Sequence, residues 1–323
     1  MSLNDVRRVL QQIQGRKFSR IFFVSCGGSQ ALMMPSKFFV DSVSTTLFPQ
    51  HYNSNEFIYT NPKSLGTESI VILCSQEGAT PETVKAAVFA KEKGATVITI
   101  AMVDGSPLQK SGGELFVKYG HYETADAIDT SYGTMYLLSS GIVDNQENTN
   151  HLEKMGESLI RIQPVIQYAK QAFFARVSDY AKRFKDAKVI YSLSSGSNYS
   201  QSYVLCNCYL MEMQWINAIP IHAGEFFHGP FEIIEKDSPV ILFMGMDSCR
   251  ALEERAVSFC KKYTDNLFVI DASEFDVSGI DTEYVGYMTT LILNNVSRLF
   301  CKKLSIEREH SLDIRRYMHI VEY

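Results

Sequence analysis

The sequence lacks the features that mark secreted, membrane-spanning or nucleic-acid-binding proteins. No apolar stretch approaches the roughly 20 residues of a membrane span, and the chain does not begin with the basic and apolar regions of a signal peptide. No run of Lys or Arg stands out, and the formal net charge is -5, whereas a nucleic-acid partner needs a basic face. We therefore expect a cytoplasmic protein with no membrane partner and no nucleic-acid partner.

Cysteine is sparse and odd in number, which disfavours a disulfide framework. The seven cysteines lie mostly within apolar runs, a pattern typical of reduced, buried thiols. The close pair Cys206 and Cys208 lacks the C-x-x-C spacing of zinc and redox sites, so core packing is the favoured interpretation. His222, Glu225 and His228 could be metal ligands, but no known metal-binding spacing supports that alternative, and we expect no metal.

Nucleotide-binding motifs are absent as well. Neither a Walker-type motif nor G-x-G-x-x-G is present, so the ligand need not be a nucleotide. What the chain does contain is a series of short apolar runs, each typical of a strand buried on both faces and each followed by a helical pattern. The runs are residues 21–24, 70–74 and 97–100 in the first half, and 189–191, 240–243 and 267–270 in the second.

The runs of the two halves recur in one order at offsets of 168 to 171 residues, which indicates a duplicated domain. Strands that alternate with helices form parallel sheets, so we predict two tandem doubly wound α/β domains of the flavodoxin-like, three-layer type. Residues 1–150 would form the first domain, 151–186 a helical connection and 187–323 the second domain. A helix over residues 4–14, capped by Asn4, is predicted before the first strand.

Two loops of the first half carry residue types that bind phosphate. They follow the first and second strands, at the strand ends where open parallel sheets bind ligands. Glycine lets backbone N–H groups approach an anion, and hydroxyls add short donors near a helix N-terminus. The alternative is that these are ordinary capping hydroxyls of strand-to-helix turns. The candidate phosphate-binding residues are Gly28, Ser29, Ser75, Gln76, Thr80 and Thr83.

The acidic residue Glu77 opposes a phosphate site in the second of these loops. A carboxylate about 4 Å from a phosphate charge costs on the order of 4 kcal/mol at an effective dielectric of 20. Either Glu77 points away and contributes only its backbone, or the loop is not a simple phosphate cradle.

The second half contains a candidate acid–base pair. Glu212 lies within a predicted apolar helix over residues 203–216, where a carboxylate needs a partner or a raised pKa. A raised pKa suits a general base, whereas the alternative is a structural glutamate satisfied by the backbone or a lysine. His228 follows in a loop bounded by Gly and Pro, where a group that titrates near neutrality can transfer protons.

These motifs resemble the sugar isomerase domain superfamily and, within it, the fructosamine-6-phosphate (fructoselysine-6-phosphate) deglycases. The resemblance spans essentially the whole chain. It is carried by Ser-Cys-Gly-Gly-Ser at 25–29, Ser-Gln-x-Gly-x-Thr-Pro-Glu-Thr at 75–83, Met-Glu-Met-Gln-Trp at 211–215 and Ala-Gly-Glu-x-x-His-Gly-Pro at 223–230. The segment from Arg315 to Tyr323, which ends in Val-Glu-Tyr, matches the deglycases.

The resemblance implies a role for each motif. Glu212 would move a proton between C1 and C2, and His228, sixteen residues later, would assist ring opening. It also implies a homodimer in which His228 reaches the neighbouring active site, and neither a metal nor another cofactor. Glu225 is expected to shape the loop. Tyr317 and Tyr209 stand where glucosamine-6-phosphate synthase has lysines, and both differences weaken a synthase-like assignment, while the C-terminal pattern fits the deglycases.

The activity expected from this resemblance is hydrolysis of a fructosamine 6-phosphate to glucose 6-phosphate and an amino acid. The first alternative is a phosphosugar or aminosugar-phosphate isomerase, which would use the same proton transfer without hydrolysis. The second is a non-catalytic sugar-phosphate sensor, although no basic helix-turn-helix segment flanks the repeats.

Overall fold

A computed structural model of the chain describes residues 2–318 and 320–322. Tyr323, the last residue of the deglycase-like pattern, lies outside the described residues. The chain divides into two compact units, Met1–Gln163 and Pro164–Tyr323. Each unit contains one parallel sheet and its helices, which confirms the predicted α/β class. The α-helices of the described residues are α1 (Ser2–Gln12), α2 (Gly27–Ala31), α3 (Met34–Val43), α4 (Ser54–Thr60), α5 (Pro81–Glu92), α6 (Pro107–Gly112), α7 (Ser131–Glu147), α8 (His151–Phe184), α9 (Tyr199–Tyr203), α10 (Arg250–Tyr263) and α11 (Val285–Glu307).

The first unit is built on a five-stranded parallel sheet with the order β2-β1-β3-β4-β5. This order is that of flavodoxin-like folds, and the chain runs from β1 to β2 on one side and on to β3 on the other. The strands are β1 (Arg20–Ser25), β2 (Phe48–Asn53), β3 (Ser69–Cys74), β4 (Thr96–Ala101) and β5 (Phe116–Lys118).

The second unit contains a four-stranded parallel sheet with the order β7-β6-β8-β9. Three of its strands are the predicted apolar runs, extended by one to three residues. The strands are β6 (Val189–Ser194), β7 (Asn217–His222), β8 (Val240–Met244) and β9 (Leu267–Asp271).

The central strands form because their side chains are buried on both faces. Every residue of β3 and β4 is buried, as the continuous apolar runs predicted. In the first unit, Phe22, Val71 and Leu73 pack against alanines of α5. In the second unit, Leu242 packs in a corresponding cluster with Phe226, which lies in the loop after β7.

The sequence pattern missed strands that lie at the edges of the two sheets. These are β2 beside β1, β7 beside β6, and β5 at the far edge of the first sheet. Both β2 and β7 contain a proline, Pro49 and Pro220. All six residues of β2 and four of the six of β7 are partly or fully exposed. A proline cannot donate to the ladder, so such strands are confined to edges and carry no apolar run.

Two local predictions on helices were wrong. Helix α1 begins at Ser2, so Asn4 lies inside the helix and does not cap it. The backbone N–H of Ser2 donates to a carboxylate oxygen of Asp129 at 2.7 Å, which stabilises this earlier start. The predicted helix over 203–216 is divided: α9 continues as a π-helix over Val204–Met213, a widened form that often occurs at functional sites.

Among the described residues, no helix combines the length and apolar character needed to cross a membrane.

Candidate functional site

The two Ser-rich loops of the first unit lie side by side. Strands β1 and β3 are hydrogen-bonded neighbours, and both loops leave their carboxyl ends, where the strand order changes direction. This switch point is where open α/β sheets bind ligands. The Ser25 hydroxyl donates to the carbonyl of Cys74 at 2.5 Å and so connects the two loops.

The first loop presents an open backbone concavity. Gly27 has φ +54°, a left-handed conformation that favours glycine, and a Cβ placed on it would meet no atom within 4 Å. Gly28 is exposed and Ser29 half-buried on the first turn of α2. The loop therefore offers free space beside backbone N–H groups, as the phosphate interpretation requires.

The second loop is shaped by close packing at its glycine. Gly78 has φ +67°, and an added Cβ would lie 2.3 Å from the hydroxyl oxygen of Ser106. The Gly78 N–H donates to the carbonyl of Ser75 at 3.1 Å, which closes a tight turn. Gln76 and Glu77, within that turn, are both exposed.

The candidate hydroxyls of the second loop bind one another. Ser75 and Thr80 hydroxyls lie 2.9 Å apart, and the Thr83 hydroxyl lies 3.1 Å from that of Ser54. Ser75 and Thr83 are buried. Thr80 is the N-cap residue of α5, but its side chain hydroxyl lies beside that of Ser75 and does not cap the helix. An anion in this loop would therefore meet hydroxyls already held in place by each other.

The corresponding loop of the second unit is filled by the chain itself. Strands β1 and β6 begin 169 residues apart, so Gly27 of the first unit corresponds to Gly196 of the second. The sequence pattern, at an offset of 168 residues, aligned Ser29 with Ser197 instead. Gly196 has φ +53°, but a Cβ on it would lie 2.6 Å from a carboxylate oxygen of Asp247.

The Asp247 carboxylate fills the turn at Gly196. It accepts hydrogen bonds from the backbone N–H of Ser197 at 2.9 Å, from the Ser197 hydroxyl at 2.6 Å and from the backbone N–H of Cys249 at 2.8 Å. The first loop is thus open and the second is closed, which favours the first unit as the place for a phosphate.

A second carboxylate lies beneath the closed loop. Glu253 is fully buried and accepts hydrogen bonds from the backbone N–H groups of Ser195 and Gly245, at 3.0 and 2.8 Å. Burial raises the pKa of Glu253 to about 8, although these hydrogen bonds oppose the shift.

The candidate base Glu212 lies at the end of the π-helix and faces a cation. One Nη of Arg315 lies 2.9 Å from a carboxylate oxygen of Glu212, whose side chain is 23% exposed. The prediction that Glu212 is buried in an apolar helix was wrong, because the last turn of the helix opens onto a pocket. One partner is an arginine from the C-terminal segment, which the sequence did not indicate. Such an ion pair stabilises the charged carboxylate and fixes its orientation.

Glu212 lines a pocket of about 600 Å³. The wall is formed by the end of the π-helix, the start of β7 and the C-terminal segment. It includes Tyr317, which is two-thirds exposed. The lining residues are Asn207, Met211, Glu212, Trp215, Ile216, Asn217, Arg315, Arg316, Tyr317 and Met318. Arg315, Arg316 and Trp215 were named in the sequence motifs, but nothing in their spacing indicated that they would meet around Glu212.

His228 lies beyond the other end of β7. Glu212 precedes this six-residue strand, which extends over roughly 17 Å at 3.3 Å per residue, and His228 follows it. His228 and Glu225 are exposed, and the His228 N–H donates to the carbonyl of Glu225 at 2.9 Å. The fully buried Phe226 anchors this loop, a burial that stabilises by roughly 1.5–3 kcal/mol.

The cysteines and histidines near these residues show no arrangement for metal binding. All seven cysteines are free thiols. Burial, and then the charge of Glu212, raises the pKa of Cys208 to about 12, so this thiol stays protonated beside the pocket. The described residues contain no cluster of three or more His, Cys, Asp or Glu side chains able to hold a metal ion.

Comparison with known proteins shows similarity over the whole chain. The model of the SIS domain matches residues 16–136. The chain is 43% identical to a fructosamine deglycase of Bacillus subtilis, over 99% of this chain and 97% of that protein. It is 26% identical to the fructoselysine 6-phosphate deglycase of Escherichia coli K12, over 98% and 91%.

A solved structure agrees with this result. A crystal structure described as that of a phosphosugar isomerase from Bacillus subtilis superposes with a TM-score of 0.97 at 43% identity, covering 99% of this chain and 97% of that one. The fold and the length of the chain are therefore those of its relatives.

Proposed function

The chain belongs to the SIS-domain family, and from this premise we propose that it is an enzyme that hydrolyses fructosamine 6-phosphates. One observation carries the proposal: Glu212 lines an open pocket with one carboxylate oxygen held by Arg315, in a chain 43% identical to a fructosamine deglycase. An isolated structural glutamate would not need such a pocket.

The first chemical steps move a proton from C1 to C2. In the open-chain substrate, C2 is a ketone and C1 carries the amino-acid nitrogen. Glu212 takes a proton from C1 and the C2 oxygen takes one from water, which gives an enaminol. Glu212 then returns its proton to C2 while the nitrogen gives its proton to the hydroxide formed, which leaves an imine at C1. Arg315 lies 2.9 Å from one oxygen of Glu212 and so orients the carboxylate for this transfer.

Hydrolysis completes the reaction. Water adds to C1 of the imine, the C–N bond breaks and the amine leaves with a proton, so the products are glucose 6-phosphate and an amino acid. His228 assists ring opening before the proton transfer. The open loop around Gly27, with its backbone N–H groups and hydroxyls, is the candidate phosphate-binding element of the first unit. None of these steps uses a metal or a redox cofactor.

The test is glucose 6-phosphate release from fructoselysine 6-phosphate, measured with a coupled dehydrogenase. Unphosphorylated fructoselysine is the control, and it also tests whether exposed Glu77 leaves the phosphate loop usable. Release from the phosphorylated compound alone supports the proposal. Interconversion of fructose 6-phosphate or glucosamine 6-phosphate, without any release, would favour the isomerase alternative.

The variant Glu212→Gln tests the base. It keeps the size and one hydrogen-bond acceptor of the side chain but cannot take a proton, so we expect kcat to fall by about 10²–10⁴-fold with glucose 6-phosphate binding retained. Glu235→Gln, an exposed residue of the same unit, is the matched control and should keep full activity. Turnover by Glu212→Gln at the wild-type rate would show that another group moves the proton.

A further inference from the structure

The pocket around Glu212 contains a second cation, stacked on an aromatic ring. The guanidinium carbon of Arg316 lies 3.8 Å from the centroid of the Trp215 ring. Both residues line the pocket together with Glu212. Flat stacking leaves the N–H groups of a guanidinium pointing outward in its own plane, where they can bind a carboxylate through two hydrogen bonds.

The ring that supports Arg316 is held in place at a conformational cost. Trp215 has φ +56°, a left-handed conformation that costs a bulky residue roughly 1–2 kcal/mol. The His310 ring packs edge-on against Trp215 with centroids 4.4 Å apart. Next to it, the Gln214 side chain donates to the carbonyl of His310 at 2.8 Å. Strain of this kind persists where surrounding contacts impose it, and it is concentrated at functional sites.

Arg315, which precedes Arg316 in the chain, already has other partners. One Nη of Arg315 donates to the carbonyls of Leu312 and Ile314, at 2.7 and 3.0 Å, and the other faces Glu212. Arg315 therefore positions the base. Arg316 differs from it, because its guanidinium is stacked on Trp215 and its side chain is exposed at the pocket.

The same chain shows how a stacked arginine binds a carboxylate. Arg176 lies over the Phe173 ring, also at 3.8 Å, and its two Nη atoms lie 3.2 and 2.6 Å from the two carboxylate oxygens of Glu274. Arg316 has the same stacking distance and opens onto a pocket.

Substrate chemistry indicates what anion would reach Arg316. In a fructosamine made from an α-amino acid, the nitrogen sits on C1, the carbon from which Glu212 would take a proton. The carboxylate carbon is two bonds beyond that nitrogen. When the sugar is joined to the α-nitrogen, a carboxylate therefore lies close to the atom on which Glu212 acts, and a cation in the same pocket matches it. When lysine is joined through its ε-nitrogen, the carboxylate lies much farther from that atom.

We propose that Arg316, supported by Trp215, binds the carboxylate of the amino-acid part of the substrate and makes the pocket selective for fructosamines of α-amino acids. This inference rests on the proposed deglycase function. It assigns to Arg316 a part in specificity that is separate from the proton transfer by Glu212.

The test compares two substrates that differ in the carboxylate alone: the 6-phosphates of fructosylglycine and of fructosylmethylamine. In Arg316→Met, which keeps an apolar stem over Trp215, we expect kcat/KM for fructosylglycine 6-phosphate to fall by about 10- to 100-fold, mostly through KM. The value for fructosylmethylamine 6-phosphate should change by less than about twofold, and Arg316→Lys should recover part of the loss.

Arg176→Met removes a stacked arginine elsewhere in the same unit and is the control, with unchanged selectivity expected. An equal loss for both substrates in Arg316→Met, or no loss for either, would overturn the carboxylate assignment while leaving the deglycase function intact. Failure of the wild-type protein to release glucose 6-phosphate from fructosylglycine 6-phosphate, with release from fructoselysine 6-phosphate, would overturn the carboxylate assignment alone. Failure with all three substrates would overturn both proposals.

Discussion

At the scale of single residues, Glu253 gives the protein a measurable dependence on pH. Its pKa is raised to about 8 by burial, with a smaller contribution from the charge of Asp247, and the usual value is near 4.5. A carboxyl group whose pKa is higher in the folded state favours folding below its unfolded value, and this stability is lost as pH rises towards the folded value. We therefore expect the free energy of unfolding to fall between about pH 5 and pH 8, by up to a few kcal/mol.

Urea unfolding at several pH values measures this effect. Glu253→Gln removes the titration, so its free energy of unfolding should depend less steeply on pH over that interval, whatever its absolute stability. The matched control is Glu254→Gln, on the same helix, where the carboxylate is exposed and pairs with Arg250 at 2.9 Å. Parallel pH curves for wild type and Glu253→Gln would contradict the assignment.

At the scale of elements, the closed loop of the second unit predicts the number of phosphate sites. Because Asp247 already occupies the concavity at Gly196, we expect one glucose 6-phosphate per chain by calorimetry. In Asp247→Ala the donors of Ser197 and Cys249 lose their acceptor, which should destabilise by roughly 2 kcal/mol or more. Phosphate or formate should then raise the Tm of the variant more than that of wild type.

The control for this variant is Asp276→Ala, which removes an exposed aspartate of the same unit. Equal stabilisation of wild type and Asp247→Ala by phosphate would show that the loop accepts no external anion. Two glucose 6-phosphates bound per wild-type chain would show that Asp247 does not close it.

The elements also show what the sequence could and could not predict. Apolar runs predicted every fully buried strand, because a strand buried on both faces needs a continuous run. Strands β2 and β7 carry prolines and polar residues at sheet margins, so no run marked them. The family motifs predicted Glu212 and His228, but not the ion pair with Arg315 or the Asp247 carboxylate in the second loop. Those contacts join residues 103 and 50 positions apart, and local patterns carry no information on such pairs.

At the scale of the whole molecule, the separation of Glu212 and His228 by β7 bears on assembly. If each active site combines Glu212 of one subunit with His228 of its partner, two inactive variants should complement each other. We expect Glu212→Gln and His228→Ala, unfolded and refolded together in equal amounts, to recover about a quarter of wild-type activity, since half the dimers are mixed and each has one intact site.

Each variant refolded alone is the control and should remain inactive. No recovery from a mixture that sedimentation shows to be dimeric would place both residues in sites made by one subunit. A monomer in solution would exclude the shared site directly.

The corresponding loops at Gly27 and Gly196 differ in whether an anion must come from outside the chain. Their glycines have nearly the same backbone angle, but one concavity is open and the other holds a carboxylate joined to the chain. In terms of inheritance, the two halves of a duplicated domain have divided a property that a single ancestor would have held in one loop. If the first loop binds phosphate, its occupancy would vary with the concentration of that ligand, whereas the second loop always contains the carboxylate of Asp247.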